Sequence, residues 1–572
     1  MSTERPTAQF SYRSQQELAI WNGHPLYQPV QGFEKPEESA KGFEYCKYGH
    51  TYAYALNDCV KVFNAKTLAP LCEIKRANVV EFWFSPQGNF LATWERQIKL
   101  EDGSGSRNLM VWDAKTGKLL NSFAQKAQNS SHLQWTDNER YCARLVPGEL
   151  YFYENRNFEK PWSVLRLPGI TQFSLSPGKT LAVFVFIPER DGAPAVVRMY
   201  SLLYLNQPIS HKTFYKADKI QLFWNSLGTS LLIMTQTEVD KTGKSYYGET
   251  NLYYLATDGH FDCRVPLDKE GSLHDVTWSP NSREFVVVYG SMPAKATLFN
   301  ERSGPVFSFG VNPRNFVRFN PQGRIICVAG FGNLNGTVDL WDRKTFKKIT
   351  TFQAPNASHC EWSPCGRFLM TATLTPRLRV DNGFKLWHYT GQLIYEENID
   401  HLYQIKWRPE SVQRYPSMRT LSPAPAPVKI NAPKEGNEAS PGLPAGAYRP
   451  PHLRNKAAPT VSLYQRSATN SPTSQYHRRY PDSNTPKKSD GRKGSGKKEN
   501  GNPRYGKNEN AGKPAPTSEP VDGSPRIALE DKTKRTRNTE KKPRSPREYK
   551  PKANKPELVT VNVESTGEEV TV

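Results

Sequence analysis

Phe82-Trp83-Phe84-Ser85-Pro86-Gln87-Gly88, followed by Leu109-Met110-Val111-Trp112-Asp113, is the pair of phrases that decides the fold. The first is a strand-like run that ends in an aromatic residue and a Ser-Pro-x-Gly turn. Proline at the second turn position pre-sets φ, and glycine two residues later tolerates positive φ. The second phrase is a short strand that ends in an aromatic residue and a polar turn.

Both phrases recur. The first returns with its anchor at Trp135, Leu175, Trp224, Trp278, Phe319, Trp362 and Trp407, at spacings of 40 to 54 residues. A weaker copy surrounds Phe43-Glu44-Tyr45. The second returns at Trp21, Phe63, Tyr153, Tyr200, Tyr254, Phe299, Trp341 and Trp387. A repeat of about 45 residues built from short strands and turns is the signature of four-stranded propeller blades. One blade cannot bury both of its faces, so the aromatics are expected to fill the space between blades. The fold class is therefore all-β: a WD-type β-propeller of nine blades, or eight if the weak first copy is discounted. The chain opens on a second-phrase copy at Trp21 and closes on a first-phrase copy at Trp407. The N-terminal strands should thus complete the last blade and leave no open edge. Trp112-Asp113 and Trp341-Asp342 read as blade framework.

After Trp407 the text changes. No Phe or Trp follows it, and residues 411–572 hold 31 Lys+Arg against 16 Asp+Glu within a total net charge of +22. Such a segment cannot offset its ordering entropy by burial. The expected organisation is a propeller over 1–410 and a disordered, basic Pro/Ser/Lys/Arg-rich tail over 411–572, with Leu421 to Val428 as a stiff Pro-Ala linker. The tail's basic clusters include Arg478-Arg479, Lys497-Lys498 and Lys541-Lys542, with Tyr476, Tyr480, Tyr505 and Tyr549 interleaved. Cations neutralise phosphates and tyrosine rings stack on unpaired bases, so the pattern points to RNA more than to a membrane. Five Ser-Pro sites, Ser422, Ser440, Ser471, Ser524 and Ser545, are candidates for phosphorylation, which would weaken a polyanion contact.

Catalytic and metal signals do not survive inspection. His359, Cys360 and Cys365 lack zinc-ligand spacing. Gly491 to Lys498 imitates a phosphate loop but lacks the Ser or Thr for magnesium and a preceding strand. His132, His274 and His359 each precede a blade Trp by three or four residues, which suggests a shared structural hydrogen bond. Eight scattered Cys without a Cys-x-x-Cys pair fit free thiols in a reducing compartment. The longest apolar run, Leu181 to Ile187, is far short of a membrane span, and the N-terminus has no signal-like core. The expectation is a cytoplasmic, monomeric non-enzyme, without cofactor or membrane.

Three stretches resemble the eukaryotic translation initiation factor 2A family: Ala217-Asp218-Lys219 through Thr235 to Gly248, Tyr289 to Asn300, and Ala372 to Phe384. Ala447-Tyr448-Arg449-Pro450-Pro451-His452-Leu453-Arg454 resembles a tail motif of that family, and of an exon-junction-complex disassembly factor that binds small ribosomal subunits. The resemblance implies binding to the small ribosomal subunit and GTP-independent delivery of initiator methionyl-tRNA in non-standard or stress-time initiation. It implies mRNA and other initiation factors as further partners. Tyr448, Arg449 and Arg454 then become ribosome-contact candidates. Lys241, Lys244, Arg377 and Arg379, in inter-strand loops, join them on the propeller. The family's Lys/Glu-rich C-terminal helix has no counterpart in Pro556 to Val572, which puts tRNA and factor binding by the tail in doubt. The competing reading is a propeller scaffold for protein complexes, with a tail that binds RNA non-specifically.

Overall fold

The recurring aromatics close strands at two fixed depths of every blade. The computed structural model describes residues 6–190, 192–215, 217–237 and 248–430. Each first anchor is the last residue of a blade's innermost strand, as Phe84 is of Glu81–Phe84, Trp278 of Leu273–Trp278 and Trp362 of His359–Trp362. Each second anchor but Tyr254 is the penultimate residue of the third strand, as Trp112 is of Leu109–Asp113 and Trp341 of Thr337–Asp342; Tyr254 stands one residue earlier in Thr250–Ala256.

Nine antiparallel sheets result. Blades 1 to 8 span residues 42–75, 81–123, 133–166, 172–214, 219–264, 273–312, 316–353 and 359–398 and have four strands each. The weak copy at Phe43 is a genuine blade, so the count is nine. Blade 9 is composite. Its innermost strand Gln404–Trp407 pairs with Gln9–Arg13, which pairs in turn with Leu18–Asn22. The expected closure by the N-terminal strands is thus present.

The second strand of each blade is covered on both faces, and its sequence shows it. Thr51–Ala55, Phe90–Trp94, Ile325–Ala329 and Phe368–Thr373 are buried at every position. These strands read as continuous apolar runs because neither face meets water. The run near 181–187 is one of them, Ala182–Ile187. Fully burying one such Val, Leu, Ile or Phe side chain stabilises the fold by about 1.5–3 kcal/mol. The clusters so formed sit between blades. Phe90 and Trp94 of blade 2, for example, pack with Leu133, Trp135 and Tyr153 of blade 3.

Polar side chains staple neighbouring inner strands. Gln404 exchanges hydrogen bonds with the backbone of Phe43, and Gln134 does so with Phe173 and Leu175. Asp275 accepts the Val317 N–H at 2.9 Å and also meets Arg318. Burial still pushes the Asp275 carboxyl up from its ordinary value. The turns between first and second strands interlock from blade to blade. At Gly49 (φ +67) a Cβ would meet the Pro409 carbonyl oxygen at 1.8 Å, and at Gly228 (φ +70) that of Pro177 at 2.0 Å. Only glycine fits such an approach.

The expected boundary at residue 410 falls too early. Residues 411–430 form a strap along blades 7 and 8. Tyr415 and Met418 are buried. Gln322 Oε1 accepts the Met418 N–H at 2.7 Å, and Arg324 Nη1 donates to the Arg419 carbonyl at 3.2 Å. The Tyr389 hydroxyl donates to the Ser422 carbonyl at 2.7 Å. Lys429 then pairs in parallel with Tyr395, covering part of the outer edge of Leu393–Asn398. An open edge strand carries unpaired backbone groups, and the strap satisfies several of them.

Candidate nucleic-acid interface

Antiparallel order fixes which residues share a face. The turns joining first to second and third to fourth strands lie on one side of the ring, here the turn face. The second-to-third loops and the blade-to-blade connections lie on the other, the loop face. Sequence distance conceals this sorting.

The turn face collects cations through one repeated local device. Asn64, Asp113 and Asp342 end third strands, and each side chain accepts backbone N–H groups of the following turn. Asn64 Oδ1 takes those of Lys66 and Thr67 at 3.0 and 3.1 Å. Asp113 Oδ1 takes those of Lys115 and Thr116, both at 3.0 Å, and Asp342 Oδ1 takes that of Lys344 at 2.9 Å. Such a turn consumes the Asn or Asp and projects the next residue but one into solvent. Lys66, Lys115 and Lys344 therefore stand exposed at equivalent places on three blades.

Several carboxylates on this face are already engaged, while Glu159 and Glu301 stand exposed in the third-to-fourth-strand turns of blades 3 and 6. Asp137 binds Lys47 and accepts the Gly178 N–H at 2.6 Å. Buried Glu139 accepts from Gln87, Gly88 and Asn89. Glu284 holds Arg343, and Glu410 holds Arg414 at 2.9 Å. Lys66, Lys115, Lys118, Lys179, Lys344 and Lys347 have no carboxylate partner among the described residues. The framework role expected for Trp-Asp holds, since Asp113 and Asp342 cap turns and bind Arg156 and Arg324.

A cleft of about 560 Å³ opens on the same face between the turns of blades 1 and 2. Tyr48, His50, Asn64, Gln87, Asn89 and Lys115 line it. Tyr48 is 42% exposed and its ring lies 5.6 Å from the Lys47 ammonium. An aromatic ring, amide groups and a free cation suit an unpaired nucleotide.

The sequence-derived candidates divide unevenly. Arg377 and Arg379 are exposed in the blade 8 connection 374–382, on the loop face. The Arg377 guanidinium lies over Gly332 of blade 7, where a Cβ would come within 2.3 Å of Nη2. This face also exposes Glu37, Glu38, Asp58, Glu101, Asp102, Glu270 and Asp400. Ser422 is part-buried in the strap, with its hydroxyl 3.2 Å from Arg367 Nη1 and 3.1 Å from the Tyr389 hydroxyl. Lys241, Lys244, Tyr448, Arg449, Arg454, Arg478, Arg479, Lys497, Lys498, Lys541 and Lys542 lie outside the described residues. So do Ser440, Ser471, Ser524 and Ser545. The turn-face lysines were missed by sequence reasoning. Their signal is present in Asn64-Ala-Lys66-Thr, Asp113-Ala-Lys115-Thr and Asp342-Arg-Lys344-Thr, one copy after each of three second anchors.

Among the described residues no group of three or more His, Cys, Asp or Glu is placed to hold a metal, and no helix is long and apolar enough to cross a membrane. The eight cysteines are free, and burial pushes the Cys142 and Cys360 thiols well up, away from thiolate chemistry. The hydrogen bond expected at three histidines forms at one. His274 Nε2 donates to the Gly290 carbonyl at 2.8 Å, whereas buried His359 Nε2 has no hydrogen-bond partner and lies 3.5 Å from the Glu361 carboxylate.

Comparison with known proteins adds an independent line. A family profile described as eukaryotic translation initiation factor eIF2A matches residues 212–405. The chain is 47% identical over 454 residues to the eukaryotic translation initiation factor 2A of Schizosaccharomyces pombe, covering 78% of this chain and 79% of that protein. It is 38% identical over 425 residues to that of Dictyostelium discoideum, covering 73% and 67%. A crystal structure of a eukaryotic initiation factor matches with a TM-score of 0.66 at 44% identity, over 71% of this chain and 100% of that one.

Proposed function

Because the chain belongs to the eukaryotic translation initiation factor 2A family, we propose that its turn face binds the ribosomal RNA of the small subunit. The basic tail tethers RNA nearby. The bound factor then assists GTP-independent delivery of initiator methionyl-tRNA, in the cytoplasm and by binding rather than catalysis. The observation that carries this reading is the set of solvent-exposed lysines on one face, Lys66, Lys115, Lys118, Lys344 and Lys347, that have no carboxylate partner among the described residues. A polyanion meets such a surface at little cost, because no ion pair must break first. The cleft beside Tyr48 offers a place for one unstacked base. The opposite, more acidic face stays available to protein partners, with Arg377 and Arg379 at its rim.

The test is co-sedimentation of the full chain with small ribosomal subunits at two salt concentrations, beside Lys115→Glu/Lys118→Glu. Wild-type binding that weakens steeply with salt, and is reduced by the charge reversals, supports the reading. Salt-insensitive binding that the reversals leave unchanged refutes it and favours an apolar, scaffold-type interface.

A further inference from the structure

The strap does more than cover an edge. Where it crosses blade 7 it forms one wall of a cleft of about 360 Å³ on the turn face. Arg324, Arg343 and Lys344 come from blade 7, and Arg419 comes from the strap. Two of the four cations are matched. Arg324 holds both oxygens of Asp342, at 2.6 and 2.8 Å, and Arg343 Nε meets Glu284 at 2.8 Å. Lys344 and Arg419 are exposed and have no carboxylate among the described residues.

The backbone that carries each free cation is fixed from below. The Asp342 turn cap holds the Lys344 backbone. Arg419 follows Met418, which is buried against Asn320, and its carbonyl accepts from Arg324 Nη1 at 3.2 Å. Two cations without carboxylate partners among the described residues thus line one small cleft. An anion that enters it meets both charges. No exposed aromatic lines the cleft, so it can read charge but cannot stack a base.

We propose that blade 7 and the strap together form a phosphate-binding cleft for an RNA backbone, with Lys344 and Arg419 as its contact cations. The inference rests on the RNA-binding reading of the turn face and adds to it that the site is complete only when residues 417–419 are seated. RNA is favoured over an isolated phosphate because Lys347 and the lysines of other blades continue the basic surface beyond the cleft. Each phosphate contact then adds counterion release to the same association.

A local readout on the full chain avoids masking by the tail. The acetylation rate of individual lysines is followed by mass spectrometry with and without an oligouridine RNA. The expected result is a several-fold slowing at Lys344 and at Lys115. In Arg419→Glu, which should unfold at the same temperature as wild type, protection at Lys344 is lost while that at Lys115 persists. Protection at Lys115 without protection at Lys344 overturns the cleft and leaves the turn face standing. Protection at neither lysine removes both. Equal protection of Lys344 by inorganic phosphate at matched phosphate concentration makes the cleft a free-anion site and overturns the RNA assignment.

Discussion

Phe10 meets Trp407 edge to face, with ring centroids 5.2 Å apart, and so clamps the beginning of the propeller to its end. The two residues are partners in the strand register, and Phe384 of blade 8 packs on Phe10 at the same centroid distance. Arg408 Nη1 adds a hydrogen bond to Gln9 Oε1 at 2.9 Å. Phe10→Ala is expected to cost about 3–5 kcal/mol, the range for emptying a buried aromatic site. Urea unfolding should show this as a lower midpoint. Phe307→Ala, at a partly buried outer-strand position, should cost less.

Asp339 is buried beside Arg314, whose Nη2 donates to Oδ2 at 2.6 Å, while Thr351 donates to Oδ1 at 2.6 Å. Burial alone would raise this carboxyl, but the hydrogen bonds from Thr351 and Arg314 and the guanidinium charge outweigh it and hold its pKa below the usual carboxylate range. A depressed folded pKa gives stability that is fully present above the unfolded value near 3.9 and is lost as pH falls through the lower folded value. Thermal unfolding between neutral pH and about pH 2 should therefore show a steep acid limb, which Asp339→Asn flattens. At neutral pH the same variant should be destabilised by about 3–5 kcal/mol, because it strands a buried cation.

The blade count and ring closure were legible because each anchor ends or nearly ends a strand, and the anchors repeat at two fixed depths. The strap was not legible. Tyr415 and Met418 are only two apolar anchors in a Pro- and Ser-rich text, and the strap's hydrogen-bond partners, Gln322 and Arg324 for Met418 and Tyr389 for Ser422, lie far away in sequence. Composition measures what a segment can bury alone; the strap buries itself in a surface already built. The turn-face lysines escaped for a topological reason. Lys66, Lys115 and Lys344 are unremarkable one at a time and converge only after strand alternation sends their turns to one side. Arg377 and Arg379 looked equivalent to them as exposed loop cations, yet stand on the opposite, more acidic face.

Tyr389 is fully buried, and its hydroxyl both donates to the Ser422 carbonyl and accepts the Ser422 N–H. Tyr389→Phe leaves those backbone groups without their partner, a loss of about 1–3 kcal/mol for groups held from water. The expected effect is confined to the strap. Trypsin should cut after Arg419 and Lys429 several-fold faster, with the blades still resistant. A proline-directed kinase should also modify Ser422 faster, because the wild-type hydroxyl is held between Arg367 and Tyr389. Unchanged rates at all three positions would show that the strap opens as readily without this contact.

Ending the chain at Glu410 or at Ile430 separates the strap from the tail. A chain ending at 430 keeps Tyr415 and Met418 in place and keeps Lys429 paired with Tyr395 along the edge of blade 8. It should unfold at the temperature of the full chain. A chain ending at 410 loses two buried side chains, at about 1.5–3 kcal/mol each when fully buried. It also bares the outer edge of Leu393–Asn398, a template for pairing with a second copy. Calorimetry should show a lower transition for this chain alone, and size-exclusion chromatography should show concentration-dependent association. Equal transitions for the two chains would mean that the strap's burial is offset by the entropy of ordering it. Its seat on blade 7 would then be an equilibrium that RNA in the neighbouring cleft could shift.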